Sequence, residues 1–327
     1  MGLSFSAGIY QTVPIREVIR LSRLAEGLGF ETVWLGDSQC LWREVYATLG
    51  AVAVSTTRIG LGISVTNPST RHLTVTAASV YSLDESTDGR IRLGIGRGET
   101  SVILVGTRRA TLKELDNAVT AIRHLLAGRS VDIDGTQTSL AYAASTPRSV
   151  PVYLPGSGPR MLRLAGEIAN GVLLTVGADP RYLRAAMGVL EEGARAKGRR
   201  PEDIRVVARI PCCVSDEPDA RRYVRSHVAM VVLQAKPFAL DPEDLAVVER
   251  IRGAYEYRQH MAVGAAHADL VPDRLVDKFA LAGRPEECAD RVRALVKSGI
   301  DELNIVLMSP DPAAVLRTFA DGVMAQL

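Results

Sequence analysis

Apolar and polar positions along the chain alternate between two periods. Short β-type runs at 3–10, 32–35, 59–65, 91–95, 152–154, 171–176, 204–214 and 303–308 are separated by stretches of helical spacing. The first such stretch opens at Pro14, carries Ile15, Val18, Ile19, Leu21, Leu24, Ala25 and Leu28 on one face, and stops at Gly29. Comparable stretches cover about 44–55, 75–84, 111–127, 159–169, 179–197, 217–234, 272–281, 286–297 and 312–326. A small hairpin is expected at 131–140, around Asp134-Gly135. Eight strands, each followed by a helix, call for a parallel sheet. The expectation is an α/β protein, a single (β/α)8 TIM barrel over residues 1–327. Residues 235–271 break the rhythm and are expected to form an insertion packed at the barrel mouth.

The chain has 327 residues with an apolar fraction of 47% and a charged fraction of 23%, ordinary for a globular enzyme. A net charge of +2 gives no footprint for nucleic acid and no bulk attraction to a membrane surface. No apolar run of spanning length and no targeting pattern is visible, so a cytoplasmic protein is expected. Cys40, Cys212, Cys213 and Cys288 show no C-x-x-C spacing, and Cys212-Cys213 on a strand reads as buried packing in a reducing compartment.

On a barrel the strand-to-helix turns share one mouth, so the residues ending the strands are the candidates for chemistry. Four turns stand out: Asp37-Ser38, Thr66-Asn67-Pro68, Gly96-Arg97-Gly98-Glu99 and Gly156-Ser157-Gly158. Glycine lets backbone N–H groups approach an anion, and a following helix N-terminus adds a favourable field. Gly156-Ser157-Gly158 therefore suits a phosphate, with Arg160 or Arg97 as charge partner. Asp37 reads as a helix cap or a site residue, and Glu99 as a solvated acid or a general acid over the mouth. His72 has no Cys or carboxylate at ligand spacing, so no metal site is expected. His124, His227, His260 and His267 read as surface or packing residues. These patterns alone stop at a barrel enzyme that binds a phosphorylated ligand.

Two long motifs carry a resemblance. T-R-I-G-L-G-I-S-V-T-N-P-S-T-R-H at 57–72 and S-L-D-E-S-T-D-G-R-I-R-L-G-I-G-R-G-E at 82–99 resemble the luciferase-like flavin and deazaflavin oxidoreductases, in particular the methylenetetrahydromethanopterin reductase type. The resemblance implies a redox ring lying over the mouth and a non-prolyl cis peptide on the third strand, at Ile63–Ser64 or Ser64–Val65. It places Asp37, Ile63, Ser64, Thr66 and Asn67 near the ring and its polyol chain. It places Arg97, Gly98, Gly156, Ser157 and Gly158 near the phosphate, with Asp37 and Glu99 as catalytic candidates. Several deazaflavin members carry Asp-His where this chain has Asp37-Ser38, and Ser38 cannot titrate near neutral pH.

The activity implied is F420-dependent hydride transfer between the deazaflavin and an organic C=C, C=N or carbonyl group of a small-molecule substrate. FMN is the alternative cofactor, in a monooxygenase fed by a separate reductase; a non-catalytic flavin-binding barrel is the alternative of another class. A homodimer is expected from the same resemblance.

Overall fold

A computed structural model describes residues 2–327. Eight parallel strands close into a ring: β1 (Ser4–Ile9), β2 (Thr32–Leu35), β3 (Gly60–Thr66), β4 (Ile91–Ile95), β5 (Val152–Gly156), β6 (Gly171–Leu174), β7 (Arg205–Val214) and β8 (Glu302–Leu307). Each strand pairs with its successor, and β8 pairs with β1 through Ser4↔Glu302 to Gly8↔Val306. Helices pack outside the ring, so the expected (β/α)8 barrel is the architecture observed. Their ends follow local chemistry. Leu112–Leu126 starts with a capping box in which Thr111 and Glu114 satisfy each other's amides. Pro180–Ala196 starts with Pro at its first turn and the Asp179 side chain accepting from the Arg181 amide. Among the described residues no helix is long and apolar enough to cross a membrane.

Inward-pointing residues fill the ring in layers. At the end away from the mouth, Glu302 is fully buried and meets Arg92 at 3.3 Å, Arg205 at 3.1 Å and the Trp34 indole N–H at 2.9 Å. A buried carboxylate is tolerable when its oxygens are met this way. Above that floor Trp34, Tyr153, Leu173 and Val207 form an inner apolar cluster, with Val65 packed on it.

The third strand departs from regularity. Ile63 pairs with Leu93 but Thr66 pairs with Ile95, so two residues on β3 face one on β4. The two are Ser64 and Val65, and the peptide joining them is cis. This is the second of the two positions the resemblance allowed. The neighbouring strand accommodates the bulge by lacking side chains. A Cβ on Gly94 would lie 2.0 Å from the Ile63 carbonyl oxygen, and one on Gly96 would lie 3.1 Å from Val65 Cγ2.

Two elements differ from the sequence reading. The stretch read as a helix over 272–281 is helical at Asp273–Phe279 and then becomes a short strand, Leu281–Gly283, paired with the carboxyl end of β7. Its apolar residues are buried by sheet pairing there, which periodicity over so short a run does not separate from a helix. After Glu99 a four-residue helix, Thr100–Ile103, precedes the next long one.

Two glycine replacements separate close approach from mere helix weakness. Gly94→Ala is expected to cost about 2–3 kcal/mol, because backbone at the bulge must shift. Gly188→Ala, inside the exposed face of Pro180–Ala196 with nothing within 4 Å of the added Cβ, is expected to stabilise by about 0.5–1 kcal/mol. Urea unfolding midpoints check both; a neutral Gly94→Ala contradicts the packing described.

Candidate functional site

A cleft of about 400 Å³ opens at the carboxyl ends of the strands. Its walls bring together three of the four turns singled out above. Asp37 and Ser38 come from the end of β2, Gly96, Arg97, Gly98 and Glu99 from β4, and Gly156, Ser157 and Gly158 from β5. Ser64 and Val65 of the bulge line the same cleft, so Ser64 and Ser157 open onto one side of the molecule.

The remaining candidates lie behind this wall. Ile63 and Thr66 are fully buried, and the Thr66 carbonyl accepts from the Gly96 amide at 2.8 Å. Asn67 is also buried; its Oδ1 accepts from the amides of Ser69 and Thr70 at 2.9 and 3.0 Å, and its Nδ2 donates to Ser101 Oγ at 3.1 Å. These three shape the turn behind the lining. Gly98 has a φ of 81°, and an added Cβ would stand 2.5 Å from Val102 Cγ1.

The two carboxylates differ sharply. Asp37 is buried, and both its oxygens accept from the Arg71 guanidinium, at 2.5 and 3.0 Å. Arg71 reaches Glu44 as well, at 2.8 Å. Gln11 ties the end of β2 to the end of β1 by exchanging hydrogen bonds with Gly36 at 2.8 and 3.2 Å. Asp37 thus belongs to a buried ion pair that fixes the rim. Glu99 is open to solvent, 41% exposed in its side chain, and pairs with Arg109 at 2.7 Å. An exposed pair of this kind is worth at most about 1 kcal/mol, so Glu99 is free to leave it.

Glycine and acid patterns do not reveal the opposite wall. Tyr10, Trp42, Arg209, His260 and Met261 complete the cleft. Tyr10 stacks on Trp42 with centroids 4.6 Å apart, and its hydroxyl donates to Met261 Sδ at 3.0 Å. The Ser38 carbonyl accepts from the Trp42 amide at 2.9 Å, so the β2 turn places this indole. Within 235–271, Ala235, His260 and Met261 reach the cleft. His260 is therefore a lining residue and not merely a packing one; its Nδ1 meets the Tyr255 hydroxyl at 2.6 Å. Burial, with the Arg209 charge adding to it, pulls His260 down to about 3. His227 is fully buried beneath Tyr10, with ring centroids 5.9 Å apart, and burial holds it well below the ordinary histidine value. His72 caps the helix Leu73–Ser86.

Lys236, beside the cleft, is lowered to about 7, chiefly by burial, and its Nζ donates to the carbonyls of Val231 and Gln234 at 2.5 and 3.0 Å.

A closed parallel barrel thus gathers glycine turns, a bulged third strand and an apolar wall at one mouth. The chain belongs to the luciferase-like monooxygenase family, whose profile matches residues 3–302. It is 32% identical over 310 residues to the 5,10-methylenetetrahydromethanopterin reductase of Methanolobus tindarius, covering 92% of this chain and 93% of that protein. It is 30% identical over 346 aligned positions to the F420-dependent glucose-6-phosphate dehydrogenase of Beutenbergia cavernae, covering 99% of this chain and 97% of that one. Among solved structures, the coenzyme F420-dependent tetrahydromethanopterin reductase of Methanopyrus kandleri superposes with a TM-score of 0.83 at 24% identity, over 100% of this chain and 99% of the other. An F420-dependent secondary alcohol dehydrogenase superposes with a TM-score of 0.82 at 19% identity, over 99% of each chain.

The buried histidines predict the sign of the pH dependence of stability. His227 and His260 are neutral in the fold but bind protons near pH 6.5 once unfolded. Below that pH the unfolded histidines hold more protons than the folded ones, so their contribution to stability is complete above about pH 7 and is lost as the solution is acidified. For His227 the slope approaches about 1.4 kcal/mol per pH unit well below its unfolded value. Urea midpoints from pH 8 to pH 5 should decline accordingly, and His227→Leu should flatten the decline. An unchanged slope in that variant contradicts the assignment.

Proposed function

We propose that the protein is an F420-dependent oxidoreductase that moves a hydride between the deazaflavin and a C=C, C=N or carbonyl group of a small organic substrate. The observation that carries the reading is the placement of the Ser64–Val65 bulge and the Gly156-Ser157-Gly158 turn in one cleft. The relatives named for coenzyme F420 align along nearly the whole chain and lend support.

The residues present suit such a coenzyme. Among the described residues the amides of Ser157 and Gly158 donate to no backbone carbonyl. They precede the ten-residue helix Pro159–Ile168, whose start has no side-chain cap. Free amides at a helix N-terminus form a phosphate site. Arg97 and Arg160 line the same end and add positive charge. Val65 and Ser64 offer a non-planar support for a ring above the inner apolar cluster.

When bound, the deazaflavin supplies the hydride chemistry, and the protein supplies position and field. In this reading Ser157 and Gly158 hold the phosphate, Ser64 and Val65 back the ring, and Asp37 with Arg71 keeps the rim rigid. Trp42, Tyr10 and Met261 exclude water from the opposite face. Glu99, weakly held by Arg109, is the carboxyl placed to exchange a proton with the substrate, since Ser38 cannot. We take residues 1–327 as one domain in which 235–271 contributes part of the substrate wall. A homodimer, from family resemblance, and a cytoplasmic location, from the composition and cysteine pattern of the sequence, complete the reading.

FMN is the competing cofactor, and titration separates the two. Purified protein is expected to bind F420 and to bind FMN at least tenfold more weakly. Ser157→Asp, which sets a negative charge against the phosphate, is expected to weaken F420 at least tenfold with no loss of thermal stability. Tight FMN binding without F420 binding reverses the cofactor assignment, and an unchanged F420 affinity in Ser157→Asp removes that turn from the site.

A further inference from the structure

Arg209 leaves β7 at the upper end of the barrel, where it is 9% exposed and lines the cleft. Its Nη2 donates to the Tyr10 hydroxyl, and its guanidinium carbon sits 5.6 Å from the centre of the Tyr10 ring. Its Nε is buried with no partner. Among the described residues no carboxylate is in ion-pair contact with it. The titratable groups facing it are Tyr10, His227 and His260, and none carries negative charge. Burial pushes the Tyr10 hydroxyl up and both imidazoles down, so all three stay neutral around a fixed cation.

An arginine nine-tenths buried with no counter-charge is costly, because desolvation of the ion is not repaid. Arg71, Arg92 and Arg205, guanidiniums near the ring, have carboxylate partners within 3.3 Å, and Arg97, on the β4 side of the cleft, is less buried and donates its Nε to the Ala110 carbonyl. Arg209 differs from the first three in facing the cleft without a carboxylate partner. On the ring of strands β7 stands opposite β3, so a coenzyme reaching from the β3 bulge to the β5 turn leaves the Arg209 side free. The surface beside Arg209 is flat and apolar, made of the Tyr10–Trp42 stack and Met261.

We propose that Arg209 anchors a carboxylate on the substrate, whose flat apolar body lies along Tyr10, Trp42 and Met261. This deepens the oxidoreductase reading and rests on it for the claim that the anchored molecule is the substrate. The class is an aryl or alkenyl carboxylic acid: the planar guanidinium matches a carboxylate, and the pairing supplies the missing counter-charge.

The test uses trans-cinnamate and its uncharged methyl ester as probes, titrated against the full-length protein with and without F420. Wild type is expected to bind cinnamate at least tenfold more tightly than the ester. Arg209→Gln is expected to erase that preference, Arg209→Lys to retain part of it, and both to keep F420 affinity within twofold. Equal binding of acid and ester by wild type overturns the proposal, as does a preference that survives in Arg209→Gln. A tenfold loss of F420 affinity in Arg209→Gln also overturns it, by assigning the cation to the coenzyme. Should Arg209→Gln fail to fold, Arg209→Lys decides: a reduced but measurable preference with ordinary F420 binding supports the anchor, and an undiminished preference or none at all overturns it. Discrimination of acid from ester by a wild type that binds no F420 upholds the anchor while sinking the coenzyme reading.

Discussion

The mouth of this barrel depends on a contact between two backbones. The Ile63 carbonyl presses against Gly94 so closely that no side chain fits between β3 and β4 at that level. This approach lets one extra residue enter β3, and Ser64 and Val65 turn into the cleft as a result. Gly96 extends the same vacancy upward, where the Val65 side chain settles. Remove the vacancy and the bulge must retreat, taking Ser64 and Val65 out of the cleft wall.

Polarity is distributed along the barrel axis in three zones. At the floor Glu302 and Glu31 pair with Arg92 and Arg205, two charges of each sign that cancel there. The middle is apolar, with Trp34 and Tyr153 packed edge to face at 5.2 Å. At the mouth the charges divide again. Asp37 and Arg71 neutralise each other within the rim, whereas Arg209 keeps its charge for the cleft. The charges of the floor and of the rim are paired, whereas Arg209, like Arg97, lines the cleft without a carboxylate partner among the described residues.

Much of this was legible in the sequence. The alternation of short apolar runs with helical faces reads directly as a barrel, because every strand is buried on both sides. The glycine turns after β4 and β5 are local signals, and they sit where local geometry requires. Arg209, Tyr10 and Trp42 were not legible. Each looks like an ordinary residue in its own stretch, and they meet because β1 and β7 come within reach across the end of β8. Arg92, Arg205 and Glu302 were missed for a related reason: a polar residue on a strand reads as solvent-facing until ring closure places it inside. The roles of Asp37 and Glu99 also required coordinates, since one aspartate's freedom depends on an arginine thirty-four residues away.

In the arrangement proposed above, one mouth holds the coenzyme between the β3 bulge and the β5 turn and leaves the β7 wall for substrate. A crystal structure of the protein grown with F420 tests it most directly. The ring is expected against Ser64 and Val65, the phosphate on the amides of Ser157 and Gly158, and Arg209 untouched by the coenzyme. A phosphate bound at Arg209, or a ring seated away from the bulge, contradicts it.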